Sequence, residues 1–336
     1  MRDVVIVGGG PSGLATAISA GMAGLDYEVL EKGVLVDSIF RFPRDMVFFT
    51  TPDLLEIGGL PFTTPYEKPT RIEALSYYRR VADTYRLNVA LGVRVDGIEA
   101  LPGPEPRFAV HGTGPGGRRE ERRGRTVVVA IGYYDHPNRL RVPGEDLPHV
   151  SHYYTESHGF YRKRVVVVGG KNSAAEAALE LRRAGAQVTL VHRRGALGES
   201  IKYWVRPNIE NRIKEGAIAA RFETSVLEIR AGAVIVEGPG GREELPADAV
   251  FLLTGYHPDR ALLEGAGVRV DAATCKPEHD PDTLETNVPG LYLAGAVVSG
   301  NETNRIFIEN GRFHGEKVAE AISRRLKEAS EKPVPV

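Results

Sequence analysis

The sequence predicts an α/β protein of two Rossmann-like three-layer domains, the second inserted into the first. Three observations carry this: a strand, glycine turn and alanine-rich helix that occur twice, a length suited to two domains, and a late glycine-bearing strand that would close the first domain. At roughly 100–200 residues per domain, 336 residues make two, enough to bury about 75 % of the surface the unfolded chain exposes. Hydrophobic residues are 42 % and charged residues 26 %, which excludes a disordered or fibrous chain. The 43 basic and 44 acidic side chains leave a net charge of −1, so neither a nucleic-acid partner nor an anionic membrane surface is expected. Met1-Arg2-Asp3 runs straight into Val4-Val5-Ile6-Val7 without a signal-peptide core, and no apolar run approaches the roughly 18–20 residues of a membrane span; a cytoplasmic protein is expected. The single cysteine, Cys275, permits neither an intrachain disulfide nor a Cys-x-x-Cys pair, so no cysteine-built metal site is expected and redox chemistry has to use a cofactor.

Residues 2–32 and 164–194 align as one βαβ unit used twice. In the first, Val4-Val5-Ile6-Val7 leads into Gly8-x-Gly10-x-x-Gly13, then an alanine-rich amphipathic stretch from Leu14 to Ala23, then Tyr27-Glu28-Val29-Leu30. The glycines supply a tight turn, close approach to a pyrophosphate and close helix packing, while the helix start offers free N–H groups to phosphate. Glu31 ends the second strand 18 residues beyond Gly13, where a carboxylate accepts hydrogen bonds from a ribose. Spacing alone leaves open whether this loop holds FAD or NAD. In the second unit Gly169-Gly170-Lys171-Asn172-Ser173-Ala174 keeps the first glycine but has Lys171 at the middle position, and the helix is expected from Ala174 to Ala184. Its second strand, Gln187 to Val191, ends in His192-Arg193-Arg194 instead of an acid. A ribose 2′-phosphate would repel a carboxylate and be gripped by guanidinium forks, so this end reads as an NADP(H) selector.

The paired loops, with Val129-Ala130-Ile131-Gly132-Tyr133 and Leu253-Thr254-Gly255-Tyr256, resemble the two-domain flavoproteins of the thioredoxin reductase superfamily, in which the first loop binds FAD and the second NADPH. The segment Asn287 to Gly295 looks like that superfamily's return to the FAD domain, with a following helix aimed at the flavin; Ala296 stands where an Asp is usual. Five further stretches (48–58, 68–71, 150–154, 169–174 and 306–315) are similar to the bacillithiol disulfide reductase-like branch. That branch commonly has Cys where this sequence has Ser12. The resemblance implies cofactor contacts from Gly8, Gly10, Pro11, Ser12, Gly13, Glu31, Lys32, Ala130, Gly132, Gly295 and Ala296 for FAD. For NADPH it implies Gly169, Lys171, Asn172, Ser173, Ala174, His192, Arg193 and Arg194. It also implies a homodimer and a small disulfide or small redox-protein acceptor.

The expected layout is an FAD domain of residues 1–136 and 258–336 interrupted by an NADPH domain of residues 137–257, with Pro137, Pro143-Gly144 and His257-Pro258 marking the crossings. Arg118 to Arg123 suit an exposed hairpin tip, and Lys332 to Val336 a frayed end. Where thioredoxin reductases carry a redox Cys-x-x-Cys, this chain has Ser151-His152-Tyr153-Tyr154, so a dithiol relay is excluded. Cys275 lies in a turn-like segment. No obligatory acid or base follows from the sequence; His152, Tyr153, Tyr154 and His158 are candidates to line a cleft between the domains. The leading function is an NADPH-dependent flavin reductase of a low-molecular-weight disulfide. A ferredoxin- or flavodoxin-NADP reductase and a non-catalytic NADPH-sensing flavoprotein are the alternatives; a flavin monooxygenase is disfavoured because no Phe-x-Gly-x-x-x-His precedes the second loop.

Overall fold

The computed structural model describes residues 1–103 and 107–331. The chain forms two compact units, Met1–His136 with Tyr256–Val336, and Pro137–Gly255. The return to the first unit comes two residues ahead of the expected 257/258 boundary. Tyr256 and His257 already pack on first-unit rings, Tyr256 at 4.8 Å from Tyr134 and His257 at 5.7 Å from His136, centroid to centroid.

The first unit opens with β1 (Arg2–Val7), α1 (Pro11–Met22) and β2 (Tyr27–Glu31), followed by α2 (Asp37–Arg41), α3 (Arg71–Thr84), β3 (Val89–Leu91), β4 (Arg94–Ala100), β5 (Phe108–Thr113) and β6 (Arg119–Val129). Strand order is β3-β2-β1-β6 in parallel, with β5 and β4 continuing antiparallel along the first half of β6. Val4, Val5 and Ile6 are fully buried, as a parallel strand covered on both faces requires, and each contributes roughly 1.5–3 kcal/mol of burial. α3 starts with a capping box in which Thr70 and Glu73 satisfy each other's backbone N–H. The hairpin tip is shorter than expected: it spans Gly114 to Arg118, and Arg119 to Arg123 lie inside β6. There the mixed charges pair, Arg122 with Glu28 and Glu120, and Arg123 with Glu121.

The second unit repeats the plan. Arg164–Val168, α4 (Asn172–Arg183) and Gln187–Val191 form its βαβ, followed by α5 (Arg206–Lys214). Its parallel strands lie in the order Ala219–Arg221, Gln187–Val191, Arg164–Val168, Ala249–Leu252, Val150–Ser151, beside an antiparallel meander of Ser225–Arg230, Ala233–Gly238 and Gly241–Pro246. The chain then returns through α6 (Arg260–Gly265), the strand Leu291–Leu293, which pairs parallel with the second half of β6, α7 (Ile308–Gly311) and α8 (His314–Glu331).

An α-helix directly after Gly295 does not form. Gly295 to Ser299 make a single 3-10 turn, because Gly295 and Gly300 hold φ of +77° and +56° and β-branched Val297 and Val298 lie between. The long helix starts only at His314, where Gly315 lets α8 cross α1 so closely that a side chain there would strike the Ala15 backbone. Residues Lys332 to Val336 lie outside the described residues. Among the described residues no helix is long and apolar enough to cross a membrane, and no cluster of His, Cys, Asp or Glu is arranged for a metal ion.

Candidate functional site

The two loops are built alike. Gly8 takes φ +110° and donates its N–H to Leu30 O at 2.8 Å; Gly169 takes φ +151° and donates to Val191 O at 3.0 Å. A Cβ on Gly8 would lie 2.5 Å from Ala130 O, and one on Gly169 2.5 Å from Leu253 O, so glycine is required at both strand ends. Gly13 faces the carbonyl of Gly8 with no room for a side chain, whereas Ala174 fills the corresponding place with its methyl against Gly169.

Middle positions separate the loops. Gly10, the N-cap of α1, has an ordinary φ of −75° and open space where a side chain would begin, with Pro11 at the first helical position. Neither the backbone conformation nor a neighbouring protein atom therefore requires glycine at position 10. Lys171, the N-cap of α4, sits in extended backbone, φ −115°, which any residue adopts, and its stem packs on Gly198. Ser173 stands in the first turn of α4.

Strand ends differ in chemistry. The Glu31 carboxylate accepts Gly9 N–H at 2.7 Å and Gly33 N–H at 2.8 Å, and burial holds its pKa above the usual range despite those two bonds. Its remaining lone pairs suit ribose hydroxyls. In the second unit the His192 ring takes the corresponding place, closing over Gly170 so that no side chain fits there. Burial, then Arg194 and Arg193, hold the imidazole below its ordinary pKa. Arg193 and Arg194 are exposed, and neither forms an ion pair with a described carboxylate. These residues fit an adenosine ribose at Glu31 and a 2′-phosphorylated one beside His192.

Other expected contacts have structural partners. The Lys32 ammonium lies 2.7 Å from Asp135, which also pairs with Arg41. Gly132 takes φ +63° just beyond β6. The Asn172 carboxamide is occupied by backbone of residues 200 and 202. The Ser12 Oγ lies 2.5 Å from where a Gly295 side chain would begin and 3.2 Å from the same point on Gly311. Gly295 N–H donates to His314 Nδ1 at 3.0 Å, which fixes that nitrogen as an acceptor, and burial pushes His314 down to about 4. Ala296 lies in the 3-10 turn and accepts the Ser299 hydroxyl on its carbonyl. Tyr154 is 5 % exposed, its OH donating to Glu180 at 2.7 Å inside the second unit. His152 Nε2 lies 3.4 Å from buried Glu145, and His158 sits in a short 3-10 turn. Cys275 is a free thiol in a turn, at φ +53°.

The family model for pyridine nucleotide-disulphide oxidoreductases matches residues 5–295. The chain belongs to that family. The pyridine nucleotide-disulphide oxidoreductases similar to it include bacilliredoxin reductase Bdr of Bacillus subtilis (strain 168), 42 % identical over 96 % of this chain and 98 % of that one. The solved structure of bacillithiol disulfide reductase Bdr from Bacillus cereus is 41 % identical and superposes with a TM-score of 0.94 over 96 % of this chain and 99 % of that chain. Lactococcus lactis thioredoxin reductase, 22 % identical with a TM-score of 0.77 over 98 % of this chain and 100 % of that one, shares the fold.

Sequence reasoning about this oxidoreductase missed Asp135, Gly198, Gly311 and His314. Their partners are Lys32, Gly170, Ser12 and Gly295, none of them a near neighbour in the chain. His314 and Gly311 lie in the family-like stretch 306–315, which gave a signal without a role.

Proposed function

We propose that this protein is an FAD-dependent oxidoreductase that oxidises NADPH and reduces a low-molecular-weight disulfide of the bacillithiol disulfide type. One observation carries the reading: a chain related along nearly its whole length to bacilliredoxin reductase has two loops of one geometry with opposite strand ends, Glu31 in one and His192-Arg193-Arg194 in the other. The carboxylate suits the free ribose of FAD, and the guanidinium pair suits the 2′-phosphate of NADPH. FAD, when bound, supplies the two-electron relay between nicotinamide and acceptor. Residues of the chain bind and orient. Gly8, Gly10 and Gly13 let the backbone approach the pyrophosphate, and Pro11 begins the helix whose free N–H groups face it. Lys171 and the start of α4 do the same for the nucleotide, and Arg193 and Arg194 select it. The reaction balances as NADPH, a proton and one disulfide giving NADP+ and two thiols. A homodimer belongs to the same proposal and is read by sedimentation.

Ser12 favours a second reading, in which electrons leave to ferredoxin or flavodoxin, because the chain has no thiol at the position where its relatives commonly have one. Anaerobic reduction with NADPH followed by mixing with bacillithiol disulfide, a bacilliredoxin, ferredoxin or flavodoxin separates the readings. Flavin reoxidation by the disulfide is expected. Reoxidation only by ferredoxin or flavodoxin overturns the first reading, and NAD instead of flavin in the denatured supernatant overturns the assignment of the first loop.

A further inference from the structure

After His192-Arg193-Arg194 the chain does not leave the second loop but folds back across it. Leu197, Ile201 and Val205 are all buried, at 7, 4 and 8 % exposure, and anchor residues 195–205 into the core of the unit. Between them, Gly198 meets the loop and the backbone of Ser200 and Lys202 meets Asn172. Gly198 N–H donates to Gly170 O at 2.7 Å. A Cβ on Gly198 would lie 3.0 Å from that same oxygen and 3.3 Å from Lys171 Cγ, so the strap and the loop are in close contact. Asn172 ties the two together from the helix side: its Nδ2 donates to Ser200 O and its Oδ1 accepts Lys202 N–H, both at 2.9 Å. Lys202 Nζ reaches Glu176, one turn further along α4, at 2.7 Å.

We infer that Asn172 is a positioning residue of the NADPH site, acting through residues 198–202 instead of touching the nucleotide. The inference rests on the reading of this unit as the NADPH-binding one. One N–H and one oxygen lone pair of the Asn172 carboxamide are committed to the strap, so removing the side chain unties residues 200 and 202 from the helix start. What it fixes is the strap's register on the loop. That register sets the direction of the Gly170 peptide and the path of the Lys171 stem at the helix start where phosphate is gripped. Because none of the hydrogen bonds of residues 198–202 goes to Arg193 or Arg194, loosening this part of the strap weakens NADP+ and NAD+ alike.

The test is made on the flavin-loaded protein. Asn172→Ala and, from the other side of the junction, Gly198→Ala are compared with wild type by calorimetric binding of NADP+ and of NAD+, by amide hydrogen exchange of residues 198–202 without nucleotide, and by the limiting rate of flavin reduction at saturating NADPH. Each change is expected to speed exchange in 198–202 and to weaken both nucleotides by about tenfold, with the ratio between them held within about twofold. The limiting rate falls less than the affinity. The double variant is expected to be little worse than either single one, since both act on one junction. Weaker binding with unchanged exchange would make Asn172 a direct ligand and overturn the proposal, as would faster exchange with unchanged affinity. If the wild-type protein itself binds no NADP+, the reading of the unit fails, and the proposal with it; that outcome is read from wild type alone.

Discussion

The hydroxyl of Ser12 lies 2.5 Å from the point where a side chain on Gly295 would begin. Ser12 lies in the first turn of α1 and Gly295 follows the returning strand, so two segments far apart in the chain meet at one side chain. Gly295 also takes φ +77°, which an alanine adopts at a cost of about 1–2 kcal/mol. Gly295→Ala therefore combines that backbone cost with overpacking of roughly 1–3 kcal/mol. Adding Ser12→Gly removes the clash and leaves the backbone term. In urea unfolding the double variant is expected to recover part of the loss; full additivity of the two changes would mean that the side chains do not meet.

His314 is the partner that holds Gly295 from the other side, and its pH behaviour follows from the bond. Burial first, then Lys317 and His279, push its pKa down to about 4, while an unfolded histidine titrates near 6.5. Between those values the unfolded chain takes up a proton that the folded one refuses. Stability is complete above pH 6.5 and falls as pH drops toward 4, on the order of 3 kcal/mol across the window. In His314→Gln, which keeps an acceptor for the Gly295 N–H but does not titrate, the unfolding midpoint should lose this part of its pH dependence. An unchanged slope would assign it to other groups.

How far the sequence carries depends on the range of the contact. Strands, the doubled βαβ and both glycine turns were legible because each is local: a β-branched run, a glycine at positive φ, a helix behind it. Glu31 and His192 were legible for the same reason, since a fixed helix length sets the distance from loop to strand end. Lys32 and Asn172, expected from the resemblance to touch cofactor, also have protein partners that the sequence did not disclose, Asp135 and the 198–202 backbone. Those partners are fixed by tertiary packing, which no local pattern encodes. The helix expected after Gly295 failed on conformation: two glycines at positive φ and two valines favour a turn.

Thiol chemistry gives a sharper test of the acceptor step. Cys275 is held in a turn by Asp271, whose carbonyl accepts its N–H at 2.8 Å, and hydride transfer from NADPH uses no thiol. Cys275→Ala is expected to leave flavin reduction by NADPH unchanged. A serine hydroxyl stays protonated near neutral pH and cannot open a disulfide as a thiolate does, so Ser12→Ala should not lower turnover of bacillithiol disulfide. Ser12→Cys restores the residue common in the related branch; a large gain would place a protein thiol in that branch's mechanism. Strong wild-type turnover that disappears in Cys275→Ala would instead give the single cysteine a catalytic part.

The chemistry of the two strand ends sets the nucleotide choice. Arg193 and Arg194 each offer charge-assisted hydrogen bonds of roughly 1.5–3 kcal/mol to a 2′-phosphate, about 10- to 100-fold in affinity apiece. Wild type is therefore expected to reduce its flavin at far lower NADPH than NADH, and Arg193→Ala with Arg194→Ala to erase the difference without loss of bound flavin. Erasing a preference is not reversing it. Reversal needs an acceptor for the free ribose hydroxyls, and His192 occupies the place over Gly170 that Glu31 occupies over Gly9. Adding His192→Glu to the double alanine variant supplies a carboxylate positioned as Glu31 is, able to accept Gly170 N–H and then ribose. The triple variant is expected to favour NADH over NADPH by about tenfold when the concentrations giving half-maximal flavin reduction are compared. Equal use of both nucleotides by wild type would reduce the two arginines to surface charge, and a triple variant that still prefers NADPH would locate 2′-phosphate recognition elsewhere in the unit.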